Sequence, residues 1–130
     1  MRADVHIYIW LYKIYGMSKG RYLAEFELYV MLALARLEDS AYGVTIRQEI
    51  EQRAGRPVSI GAVYATLGRL GDKGLVAFRT SDPLPVKGGR SRKYFRLTAD
   101  GQNALEESMA MLERMKQGLE LDADSGRARK

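Results

Sequence analysis

The residues with the strongest chemical character in this chain are cationic and close together. From Lys87 to Arg96 five of ten residues are basic (Lys87, Arg90, Arg92, Lys93 and Arg96) and none is acidic. Clustered positive charge attracts a polyanion such as a phosphate backbone, whereas the same charge spread over a surface only keeps a protein soluble. Across 130 residues Lys and Arg number 21 against 16 Asp and Glu, a net charge of +5. Other chemistries lack residues to carry them. Cysteine is absent and histidine occurs once, at His6. Thiolate nucleophiles, disulfides and cysteine-bound zinc are therefore excluded, and a metal site would need a carboxylate cluster that the sequence does not display. No Ser/His/Asp set or carboxylate pair is visible. Gly88-Gly89-Arg90 does not lead into a helix N-terminus as a phosphate-cradling loop does. The expectation is a protein without catalytic residues, metal or cofactor.

A second group of residues lies just upstream. Ser59 reads as the N-cap of a helix from Ile60 to Lys73. Ile60, Val63, Leu67 and Leu70 fall on one face, and the opposite face carries Gly61, Ala65 and Gly68, flanked by Ala62 and Arg69. A glycine inside a helix costs about 1 kcal/mol relative to alanine. Two on one outward face suggest close approach to a large flat partner, or else tolerated weak positions or helix–helix contacts. The DNA major groove, about 12 Å wide, admits one such helix. Tyr64 lies at the edge of the inward face. Its ring can pack on the domain while its hydroxyl reaches a phosphate, or it is a half-buried core tyrosine. Ser59 offers a hydroxyl, and Arg69 a guanidinium for a phosphate or a guanine edge.

The elements that must position these groups follow from hydrophobic period. A helix is expected from Ala24 to Leu37, with Phe26, Val30, Leu34 and Leu37 at helical spacing. Its apolar face is broad enough for burial against its own domain and a partner. A second helix spans Gly43 to Ala54, with Val44, Ile46 and Ile50 as its apolar side, and Gly55-Arg56-Pro57 ends it. After the Ile60–Lys73 helix, Gly74 stands where a terminating glycine belongs. The period then changes to two. Leu75 to Thr80 and Arg92 to Leu97 read as a hairpin around a loop carrying Pro83, Pro85, Gly88 and Gly89. Thr98 caps a last helix, Ala99 to about Leu119, whose stripe of Leu105, Met109, Leu112, Met115 and Leu119 looks for a second copy, since the compact domain is complete before Thr98. The fold class is mostly α with a small β-hairpin: a winged helix-turn-helix plus a C-terminal dimerisation helix. Residues 1–20 form an N-terminal extension, 21–97 the winged helix-turn-helix, 98–120 the dimerisation helix and 121–130 a disordered polar tail. The apolar stretch Val5–Tyr15 is too short for a membrane span, which takes about 20 residues. Met17 behind it is a candidate start, which would leave 1–16 outside the native protein; the alternative is a genuine N-terminal helix that packs on the dimer. The lack of cysteine fits a cytoplasmic setting.

Several of these residues recur together in a known family. Gly43, the run Ser59-Ile60-Gly61-Ala62-Val63-Tyr64-Ala65-Thr66-Leu67-Gly68-Arg69-Leu70 with Lys73-Gly74-Leu75-Val76, and Gly88-Gly89-Arg90 leading to Lys93-Tyr94-Phe95-Arg96-Leu97-Thr98 and Gly101 resemble the PadR family of transcriptional regulators, in its smaller subfamily with one short C-terminal helix. The resemblance covers about residues 18 to 119. It implies a homodimer formed through the C-terminal helix and part of the first helix, here Phe26, Val30, Leu105, Met109, Leu112, Met115 and Leu119. It implies a repressor bound to a palindromic double-stranded DNA operator and released by a small molecule or another signal, a small-molecule effector being expected near the dimer interface. DNA contacts are expected from Ser59, Gly61, Ala62, Tyr64, Ala65, Gly68 and Arg69 on the recognition helix and from Lys87, Arg90, Arg92 and Lys93 on the wing. The competing reading is a winged-helix protein-interaction module without direct DNA readout, which has no need of a basic wing.

Overall fold

The computed structural model describes residues 23–82 and 91–120. The N-terminal extension with Met17, the hairpin tip with Lys87 and Arg90, and the polar tail from residue 121 lie outside the described residues. The elements run α1 (Glu25–Leu37), a 3-10 turn (Glu38–Ser40), α2 (Gly43–Ala54), α3 (Ile60–Asp72), β1 (Val76–Thr80), β2 (Lys93–Leu97) and α4 (Ala99–Lys116). This is the mostly helical winged helix-turn-helix with a small hairpin that the residue periods predict.

Local chemistry sets the boundaries. The Ala62 N–H donates to Ser59 Oγ at 3.0 Å, satisfying one of the donors that a helix start leaves open. Thr98 does the same for α4, accepting from Gly101 N at 3.0 Å. Ala24, before α1, has no capping side chain. Glu27 instead reaches back, and Ala24 N donates to its Oε1 at 2.9 Å. Gly55 and Gly74 end α2 and follow α3 with φ of 71° and 77°, a left-handed backbone that side chains with a Cβ rarely adopt.

The core lies where the three helices meet. Val30, Met31 and Leu34 of α1, Ile46 and Ile50 of α2, and Val63, Leu67 and Leu70 of α3 are buried together. Leu75, Val76 and Phe95 close it from the hairpin, and Ala104 and Leu105 from α4. β1 and β2 pair antiparallel, with Val76 opposite Leu97, Phe78 opposite Phe95 and Thr80 opposite Lys93. The pairing runs one step further toward the tip, where Ser81 N donates to Arg92 O at 2.8 Å. Phe95 N donates to Ala41 O at 2.8 Å, so the hairpin is also tied to the chain between α1 and α2.

Three expectations need correction. Ile60 is 40% exposed, because it sits at the first turn of α3, beyond the edge of the core. The buried position that periodicity did not assign belongs to Thr66. Val44, placed on the apolar side of α2, is likewise exposed. Finally, the domain is not complete before Thr98. The first half of α4 packs onto it through buried Gly101, Ala104, Leu105 and Ser108. Val30 and Leu105 are consequently spent on the protomer's own core, and neither has a surface to offer a second copy.

Candidate nucleic-acid interface

The outward side of α3 is bare. Ser59, Gly61, Ala62, Tyr64, Ala65, Gly68 and Arg69 are all exposed, while Val63, Thr66, Leu67 and Leu70 are buried beneath them. A Cβ built on Gly61 or Gly68 would meet nothing within 4 Å. Neither glycine is thus required by packing among the described residues, although each weakens the helix by about 1 kcal/mol relative to alanine. The result is a low ridge whose backbone can come close to a flat partner.

Tyr64 is placed differently from its neighbours. Its ring is 48% exposed and leans edge-on toward Phe95 of β2, with centroids 6.4 Å apart. Its hydroxyl end lies where a Cβ on Gly43 would be. The tyrosine therefore spans three elements, α2, α3 and β2, with its other side open to solvent.

Arg69 is turned away from the ridge. Its Nη2 donates to Thr66 Oγ1 at 3.0 Å, and its Nε is 3.8 Å from Glu27 Oε2. Expected as a DNA contact, it is here engaged with α1.

The root of the hairpin is a layered set of cations and rings. The Arg92 guanidinium lies over the Tyr42 ring at 3.9 Å, and its Nη1 donates to the Tyr94 hydroxyl at 3.3 Å. That hydrogen bond raises the guanidinium pKa above its ordinary value. Arg79 covers the same Tyr94 at 4.5 Å, across the strand pair. On the other face Lys93 Nζ stands 4.6 Å from the centre of Phe78, an exposed ring that contacts Phe95. Cation–π contacts of this kind contribute about 0.5–1 kcal/mol at exposed sites and fix long side chains in place. Arg92 and Lys93 are thus present at the wing root, one half-buried and one exposed.

Beyond residue 109 every described position of α4 is exposed. Met111, Leu112 and Met115 are exposed apolar side chains of α4, Met115 at 77% exposure; the helix ends at Lys116, short of the expected Leu119, which is exposed beyond it. Phe26 and Met109 are half-buried beside the core. Among the described residues no helix is long and apolar enough to cross a membrane, and no group of three potential ligands is placed to hold a metal.

Sequence reading missed Glu27, Thr66, Tyr42, Tyr94 and Arg79. Glu27, Tyr42, Tyr94 and Arg79 act through partners distant in sequence, which no local spacing marks, and Thr66 is a polar residue at a buried position that accepts from Arg69, one turn on. The one available signal was Glu27, a charge on the broad apolar face of the first helix.

Residues 31–107, more than half of the chain, match the model of the transcriptional regulator PadR-like family. The chain belongs to that family. Solved structures agree. A PadR family transcription regulator from hypervirulent Clostridium difficile R20291 is 26% identical, with a TM-score of 0.62 over 72% of this chain and 93% of that one. A PadR-like transcription factor from Bacteroides fragilis is 25% identical, with a TM-score of 0.59 over 85% of this chain and 93% of that one. Bacillus subtilis PadR, solved in complex with operator DNA, is 20% identical, with a TM-score of 0.54 over 68% of this chain and 48% of that one. At that identity the likeness is one of fold. No curated protein matches. This PadR-like chain is a transcriptional regulator, and the family is one of regulators and not of enzymes.

Proposed function

We propose that this PadR-like protein binds duplex DNA as a homodimer, laying α3 in the major groove and its hairpin along the adjacent backbone. The observation that carries the reading is the bare ridge of Gly61, Ala62, Ala65 and Gly68, open around both glycines, next to a hairpin that brings Arg92 and Lys93 to its root. Small side chains let the helix axis approach base edges, and the cations neutralise phosphates. Ser59 supplies a hydroxyl at the start of the ridge and Tyr64 one beside it, and Lys87 and Arg90, close by in sequence, add positive charge. The Bacillus subtilis PadR solved with operator DNA supports the same use of this fold.

The dimer is assigned to the distal half of α4. Met109, Leu112, Met115 and Leu119, with Phe26, provide an apolar surface, and exposed apolar area of this extent costs solvation free energy unless it is covered. A two-fold dimer calls for a palindromic operator with half-sites about one helical turn apart. The protein acts there as a repressor, and a small-molecule effector seated among the methionines of the interface releases it. Selection of bound fragments from the source genome tests the whole reading. A recovered palindrome supports it, and failure to enrich any sequence overturns it.

A further inference from the structure

Glu27 is, among the described residues, the one charged side chain that the fold buries, at 4% exposure. A buried carboxylate is tolerated only when paired. Both of its oxygens accept from Lys73 Nζ, at 3.2 and 3.0 Å, and Oε1 also accepts from Ala24 N at 2.9 Å. A second cation, Arg69, stands 3.8 Å away on the exposed side. Arg69 and Lys73 are four residues apart and so share one flank of the recognition helix. One anion from the first turn of α1 therefore serves two cations at the far end of α3. Thr66, one turn back, also accepts from the Arg69 guanidinium, although the side chain is 58% exposed.

We propose that Glu27 is a positioning residue that withholds Arg69 from the phosphate backbone, so that α3 meets DNA through its glycine ridge with little charge of its own. This rests on the DNA-binding reading above. Recognition by close contact gains from such restraint. An unrestrained arginine beside the ridge would add affinity for every duplex alike, since phosphate contacts carry no sequence information. Glu27 thus favours the difference between operator and bulk DNA over total affinity.

The salt dependence of binding to a mixed-sequence duplex tests this, because each phosphate contact contributes about 0.9 to the slope of log K against log salt. Arg69→Ala should leave the slope of the wild type unchanged, since the wild-type arginine is spent on Glu27. Glu27→Gln should steepen it by about 0.9, equivalent to roughly 3.5-fold more affinity lost between about 50 and 200 mM salt. Glu27→Gln combined with Arg69→Ala should return to the wild-type slope. A merely structural Glu27 would lower affinity without steepening the slope. A slope that falls by about 0.9 in Arg69→Ala alone, or stays flat in a folded Glu27→Gln, overturns the proposal. The Arg69 side chain is 58% exposed, so Arg69→Ala should fold, and a fallen slope in that variant overturns the proposal even if Glu27→Gln does not fold. Absence of wild-type binding to any duplex would instead refute the DNA-binding reading itself.

Discussion

The hydroxyl end of Tyr64 occupies the space in which any residue but glycine at position 43 would carry its Cβ. α3 is thereby seated directly on the first turn of α2, and the tyrosine is held at a fixed height beside the ridge. Gly43→Ala should push the ring outward. The displaced atoms are the far end of a half-exposed side chain, so stability should change by less than about 1 kcal/mol, helped by the better helix propensity of alanine. DNA affinity should fall clearly. Thermal melts together with fluorescence anisotropy separate the two effects, and a large loss of melting temperature would show the contact to be structural.

Gly101 offers the opposite case. Its Cα faces the backbone carbonyl of Leu75, which cannot rotate away, and a Cβ there would overlap the oxygen. Gly101→Ala should destabilise the fold by about 1–3 kcal/mol, the usual cost of overpacking, despite a favourable propensity change. Denaturant titration reads this directly, and a neutral result would mean that α4 can slide.

On the outward ridge the same exchange should be harmless to folding. Gly61→Ala and Gly68→Ala meet open space and should each stabilise the protein by up to about 1 kcal/mol. Gly61→Glu should keep the fold, since a carboxylate suits a helix N-terminus, and should abolish DNA binding. Binding that survived this substitution would remove α3 from the groove.

At the hairpin root, Arg92 and Lys93 should respond differently. Lys93→Ala should flatten the salt slope by about 0.9 with little effect on stability. Arg92→Ala should also loosen the root, because it removes the guanidinium stacked on Tyr42 and bonded to Tyr94. Arg92→Lys should not restore the melting temperature, since a lysine cannot stack as a planar group. Full rescue by lysine would reduce the role of Arg92 to charge.

For α4, Leu112→Asp with Met115→Asp alters only exposed positions and should give folded monomers by light scattering. Leu105→Asp buries a charge and should unfold the domain. Dimers persisting in the double variant would move the interface elsewhere.

Much of this architecture is legible in the chain itself. α2 begins and ends at the residues its period and Gly55 predict, and Ser59 and Thr98 cap the helices their side chains suit. Periodicity fails where a face runs past the core, as at Ile60, and where a polar residue fills an apolar position, as at Thr66. The stripe of α4 reads as one surface because a helical repeat records which residues share a side and not what covers it. The fold divides it, with Leu105 inward and Leu112 and Met115 bare. The arginine–tyrosine layers at the hairpin root were hidden for a related reason. Tyr42 and Arg92 meet only after the chain has closed on itself.

One junction has mechanical meaning. The Thr98 hydroxyl donates to Gly74 O at 2.7 Å, Thr98 N donates to Leu75 O at 3.0 Å, and Gly101 lies against that same carbonyl. The start of α4 is therefore bolted to the link between α3 and the hairpin. A torque applied to the distal end of α4 would be delivered, with a lever arm of several turns, to α3 and the hairpin at once. In the proposed dimer, the angle at which two copies cross would then be written into the spacing of the proposed half-sites.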